Sequence, residues 1–304
     1  MNRIRIIIVA VAIICIYGCK KDNSKAESIN LIEDLDVTKD AVFDTVEVPQ
    51  HIRKIVKDIS GINVYETSVL AKGATVSENF ENFKKLKEIA SDDELISLLN
   101  NKNKVVAVYA AIGLWEKMPE RTDQIFQQFL QIKTQIHTRN GCIVGDENPA
   151  EPLYSQYINS LNGKDIIHDT RLKKLDSLVI FSPNPSEILL TEVFRYKLYP
   201  KQYNKQIEML AFTNHKIPAI NYLNHWYKGD YSNLLQKEFG SIISNDTLID
   251  INKQKALSDL LSFRNPANKK VILDYIKKDT LSIKEHEISI ELENNGIFPG
   301  KDYE

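Results

Sequence analysis

Asp92 to Pro119, DDELISLLNNKNKVVAVYAAIGLWEKMP, reads as two short helices packed back to back, and the expected fold follows from it. Ser91 with Glu94 three residues on makes a capping box, so a helix starts at Asp92 and turns Leu95, Leu98 and Leu99 inward. The run Asn100, Asn101, Lys102, Asn103 breaks the pattern, because Asn bonds its own backbone and tolerates turn dihedrals. From Val105 to Trp115 no residue is charged. As a helix that run spans roughly 16 Å, about half a bilayer's hydrocarbon core, so it is expected to be buried in protein. Gly113 and Ala110 are small enough to let a neighbouring helix approach, and Pro119 stops the helix. A helix apolar on every side needs cover on every side. Leu98, Val106, Tyr109, Ala110 and Leu114 are therefore expected in the core.

The string from Asp93 to Leu114, E-L-x-x-L-L, a polar turn, then V-V-x-x-Y-A-x-x-x-L, resembles a HEAT-type repeat, in particular the divergent HEAT-like repeats of lipoproteins from Bacteroidetes-type bacteria. Lys104 and Ala107 stand where that repeat usually has Pro or Asp and Arg. The resemblance implies an all-α fold, a short superhelical stack of antiparallel helix pairs.

Hydrophobic residues at 43% and charged residues at 26% are ordinary for a folded chain. The amino terminus reads as an address. Arg3 and Arg5 precede the apolar run Ile6 to Ile16, and Ile16-Tyr17-Gly18-Cys19 resembles a bacterial lipobox, which would make Cys19 the lipidated first residue of the mature chain. Residues 1–18 are then a signal peptide, and lipid at Cys19 would hold the protein to the cell envelope, at the outer membrane. Removing them leaves 37 basic against 41 acidic side chains, a formal charge of −4, which lacks the basic footprint of a nucleic-acid binder. Cys142 is the one cysteine left besides Cys19, so no internal disulfide is expected.

Residues 19–49 are polar and acidic and read as a tether, 50–293 as the helical domain and 294–304 as a polar tail. A short helix and an extended arm are expected between Ile52 and Gly73, and a helix capped by Ser77 over Glu78–Ile89. Ile125, Phe126, Phe129, Ile132, Lys133 and Ile136 share a helical face. Thr138 to Pro152, TRNGCIVGDENPAEP, reads as a loop by its Gly, Asn and Pro. Helical faces follow at Leu153–Leu161, Leu172–Val179 and Ile188–Phe194, then at about 201–213, 218–228, 231–244 and 253–263. Ile283 to Leu292 fits a terminal strand or a frayed helix.

No HExxH, GxSxG, GxGxxG or Walker-type loop is present, so no catalytic residue, cofactor or metal is assigned. His51, His137, His168, His215, His225 and His286 do not pair at metal-ligand spacing on a helix. Cys142 reads either as a small packing residue or as a reactive thiol served by Arg139 and His137. A loop as long as 138–152 is a natural recognition element, so Ile143 and Val144 are expected to dock on the helices while Asp146, Glu147 and Asn148 contact a partner. The expected function is a protein-binding or scaffold module using a helical-repeat surface. The alternative is glycan binding or enzyme assistance, through the same loop and the aromatics Tyr222, His225, Trp226, Tyr227 and Tyr231.

Overall fold

A computed structural model describes residues 41–70, 75–161, 166–195, 197–248, 250–278 and 286–298. The signal peptide, Cys19 and most of the tether lie outside these. The organising pair is present as α3 (Asp92–Leu98) and α4 (Lys104–Lys117). Ser91 accepts from the Glu94 amide and the Glu94 carboxylate accepts from the Ser91 amide, completing the capping box. Asn103 caps α4 by accepting from the amides of Val105 and Val106 at 3.0 and 3.2 Å. Every residue from Val105 to Trp115 is buried. A Cβ on Gly113 would sit 3.5 Å from Leu95 and 3.8 Å from Phe83, ordinary van der Waals contact, so the close packing of α4 on both preceding helices does not require glycine there. The five core residues expected from the sequence are all buried, none more than 4% exposed.

The all-α expectation is overturned. Part of the cover on α4 is a four-stranded mixed sheet, which makes the fold α/β. Its strands are β1 (Val64–Leu70), β2 (Thr75–Val76), β3 (Ile136–Gly141) and β4 (Ile143–Glu147), in the order β2-β1-β3-β4. β1 runs parallel to β3, and both outer pairs are antiparallel. The extended arm after α1 (Gln50–Ile62) is β1, and Asn63 ends α1 with φ 54°, a left-handed conformation that Asn tolerates. The long loop is a further correction: Thr138 to Pro152 holds most of β3, all of β4 and the first turn of α6 (Ala150–Ser160). The helix before it, α5 (Thr122–Leu130), stops short of Ile136, because Ile136 and Thr138 point to the buried face at strand period.

One side chain joins helix to sheet. β2 pairs only with Val69 and Leu70, so farther along β1 the backbone of Glu66 has no β2 partner. The Tyr109 hydroxyl of α4 takes that place, accepting from the Glu66 amide at 2.9 Å and donating to its carbonyl at 3.0 Å. The ring stacks on Phe83 of α2 (Glu78–Ile89) at 5.0 Å and lies 5.2 Å from Tyr65. Burial holds the phenol pKa well above its ordinary value, so it stays a donor. Tyr109→Phe should cost about 1–3 kcal/mol, since two buried backbone groups lose their partner. Urea denaturation measures it, and an unchanged midpoint would mean that water replaces the hydroxyl.

The rest is helical: α7 (Thr170–Ile180), α8 (Glu187–Phe194), α9 (Asn204–Glu208, continued by a π turn to Thr213), α10 (Ile217–Tyr227), α11 (Ser232–Ser244), α12 (Asp250–Leu261), α13 (Lys269–Lys278) and α14 (His286–Asn294). The terminal segment is thus a helix and not a strand. Phe126 of α5, between Trp115 of α4 and Tyr154 of α6, makes the core of the two halves continuous.

Candidate functional site

The β3–β4 hairpin closes through Asn140-Gly141-Cys142-Ile143, with Asn140 paired to Ile143. Gly141 has φ +60° at the first central position, the type II′ requirement, and that turn's twist matches the strands it joins. Cys142 is exposed at the tip, so it does not pack in the core. Ile143 is 73% exposed and does not dock on the helices; Val144 is half-buried.

β4 is the outer strand of the sheet, and among the described residues no strand pairs with its free side. A two-residue hairpin closes on a hydrogen-bonded pair, so Ile143, Gly145 and Glu147 bond to β3 while the amides of Val144 and Asp146 point away from it. This edge carries no Lys or Pro, and its charged residues are Asp146 and Glu147.

Asp146 is exposed and bonds His137 on β3 at 2.5 Å. Glu147 is half-buried, and burial raises its pKa, with the Thr138 side chain offsetting part of the rise. Asn148 has both ends of its amide in use: the nitrogen donates to the Ile132 carbonyl at 2.8 Å and the oxygen accepts from the Ala150 amide at 2.9 Å. It therefore clamps α6 to the segment after α5, which is an architectural role.

Two clefts flank these three residues. One, of about 300 Å³, includes Asp146 and His137 with Asn63, Lys102 and Lys104 in its lining. The other, of about 610 Å³, lies between the segment after α5, the start of α6 and the α7–α8 turn; Asn148, Glu151, Lys133, Ser186 and Lys216 are among its lining residues. Glu151 is only 3% exposed, and its Oε2 accepts no hydrogen bond. Burial pushes its pKa up to about 7, the Ser186 hydroxyl offsets part of that, and the Glu147 carboxylate adds to it. A buried acid with a displaced pKa in a cleft marks a functional candidate. Sequence reading missed it because ENPAEP reads as loop. The available signal was that Glu151 stands three residues before Tyr154, on one face of a helix opened by Asn148 and Pro149.

The sign of a pH effect follows. Glu151 is more readily protonated folded than unfolded, so its neutral form is accommodated at low pH and stability is lost as pH rises through about 7. Glu151→Gln should therefore stabilise the protein at pH 8, by up to about 3 kcal/mol, with the gain vanishing toward pH 4. Melting curves across pH measure this, and a gain independent of pH would contradict the assignment.

The aromatic stretch divides as helix geometry requires. Tyr222 is buried, Tyr227 and Tyr231 are half-buried, and Trp226 is 39% exposed with His225 edge-on at 4.5 Å. Both line a groove of about 350 Å³ together with Arg195, Asn221 and Lys255. Among the described residues no group of three or more His, Cys, Asp or Glu could hold a metal ion, and no helix is long and apolar enough to cross a membrane. No family model, curated protein or solved structure matches the chain, so the reading of function rests on the geometry of these sites.

Proposed function

We propose that the protein is a lipid-anchored binding module of the bacterial cell envelope that captures a polypeptide partner by strand addition to β4. The open edge of β4 carries this reading: an extended chain can bond to the outward groups of Val144 and Asp146, and the cleft that includes Asp146 lies beside that edge. Asp146 and Glu147 belong to the strand that is bound, and Asn148 holds the frame on which it ends.

The test uses proline. Val144→Pro removes one outward amide without touching the ladder to β3, the way natural edges are blunted. A photo-crosslinker at Ile143, in cells, should give a defined adduct that this variant loses, while a crosslinker at exposed Ile188 of α8 gives none. An adduct that survives Val144→Pro would rule out strand addition. Anchoring is tested separately: Cys19→Ser should move the protein from the membrane to the soluble fraction, and membrane retention in high salt would count against lipid attachment.

A second reading has its own observation. Exposed Trp226 beside His225, over a groove that also includes Asn221, offers a stacking face and a polar amide to a sugar, while Arg195 and Lys255 in the same groove are paired with Glu192 and Asp259. A glycan array with Trp226→Ala as control separates the two: saccharide binding lost in that variant favours the groove, and none leaves β4.

A further inference from the structure

The free edge of β4 has a symmetry that bears on what can occupy it. Its outward backbone groups belong to Val144 and Asp146, one residue either side of Gly145, while Ile143 and Glu147 stand one residue farther out and bond to β3. A strand running antiparallel along this edge exchanges a pair of hydrogen bonds with each outward residue. Where that strand is β4 of a second copy, the outward residues can meet in few registers. Centring the pair on Asp146 sets two carboxylates directly opposite each other, and centring it on Val144 leaves Asp146 opposite Cys142 of the turn, off the strand. Centring it on Gly145 sets Val144 opposite the second copy's Asp146 and the reverse, so both outward residues bond and no acid stands opposite an acid.

Gly145 suits the axis of such a pair. It would face its own copy in a non-hydrogen-bonded position, where Cα atoms come to about 4.5 Å. A Cβ built on Gly145 meets nothing within 4 Å, so its face of the strand is open at that point. In the same register Ile143, 73% exposed, lies opposite the second copy's Glu147, whose methylenes cover it. The two Asp146 carboxylates become diagonal neighbours, about 7–8 Å apart, each already bonded to its own His137. The far edge of the sheet favours closure: β2 is only two residues long and offers little ladder to a β4 from another molecule, so pairing β4 with β4 ends in a dimer and not in a fibre.

We propose that the strand captured by β4 is β4 of a second copy of this chain, antiparallel about a two-fold axis at Gly145. This rests on the strand-addition reading and names its partner. Hydrogen bonds at Val144 and Asp146 alone hold weakly, so pairing depends on the concentration that anchoring to one membrane imposes, and the chain diluted in detergent is the free protein.

Disulfide capture on the full chain in cells tests this. Gly145→Cys, with Cys142→Ser to remove the native thiol, should give a covalent species of twice the chain's mass on mild oxidation, since Cα atoms about 4.5 Å apart are within disulfide reach. Ile143→Cys with Glu147→Cys, opposite each other in the same register, should give it independently of any folding defect at Gly145. The Cys142→Ser chain without these changes should give none. Native Cys142 should give none either, because the register sets it opposite Asn148, roughly 20 Å along the strand from the other Cys142. Adding Val144→Pro should abolish the covalent species in both variants. Capture through Cys142 as readily as through Gly145→Cys would place the axis elsewhere and overturn the proposal. No covalent dimer from either variant, while the crosslinker at Ile143 still gives an adduct of another mass that Val144→Pro removes, would overturn self-pairing and leave strand addition standing. No adduct by either route removes both.

Discussion

Lys197→Met should destabilise the protein by about 3–5 kcal/mol, because it strands a buried carboxylate. Asp176 on α7 is 1% exposed, and the Lys197 ammonium bonds both its oxygens, at 3.0 and 2.8 Å. The Tyr154 hydroxyl of α6 donates to the same carboxylate at 2.6 Å. Tyr199, 3.0 Å from Asp176 and 2.7 Å from the Val193 carbonyl, has one proton for two acceptors, so Lys197 is the partner that cannot be spared. Burial raises the Asp176 pKa even with Lys197 opposing it. Removing the cation raises it further, so the deficit of Lys197→Met should be greatest at neutral pH and shrink in acid, where Asp176 is protonated in both proteins. Denaturant titrations at two pH values measure this. The double variant with Asp176→Leu should recover much of the loss, and a deficit below 1 kcal/mol in the single variant would mean that water reaches the carboxylate.

Phe126→Ala should be of comparable size, about 3–5 kcal/mol, for a different reason. The ring is fully buried, with Trp115 at 6.3 Å and Tyr154 at 6.1 Å, so its loss opens a cavity where the helices around the sheet meet those of the carboxyl-terminal half. The urea midpoint should fall in one transition if the halves fold together. Two separated transitions would show that this contact joins units that are stable alone.

What could be read from the sequence was local. Ser91, Glu94 and Asn103 act on backbone within three residues of themselves, and the charge-free run of α4 announces its own burial. The sheet is not local. Parallel strands β1 and β3 lie on either side of α2 to α5, and neither can bury a face without the other, so no single window reveals the pair. Ile132 and Ile136 continue the spacing of Ile125 and Phe129, which extended α5 on paper beyond its end at Leu130. A hairpin signal was available in Gly141-Cys142, a Gly-X pair followed by the β-branched Ile143 and Val144, but the Gly and Asn read as loop. Of the expected contact residues, Asp146 lies on the edge strand, Glu147 turns partly inward and Asn148 is architectural. Glu151 shares a helical face with Tyr154, but the cleft it lines is completed by the α7–α8 turn and the segment after α5, neither of them adjacent to it in sequence, so its setting was not legible from its own window.

The central claim is that β4 presents a free edge ready to accept a strand, and amide hydrogen exchange resolved at single residues across 143–147 tests it most directly. In the free protein the amides of Ile143, Gly145 and Glu147 should be protected by the ladder to β3 while those of Val144 and Asp146 exchange quickly, and adding the captured partner should protect these two. Uniform protection of all five in the free protein, or no change at Val144 and Asp146 on binding, would contradict the account.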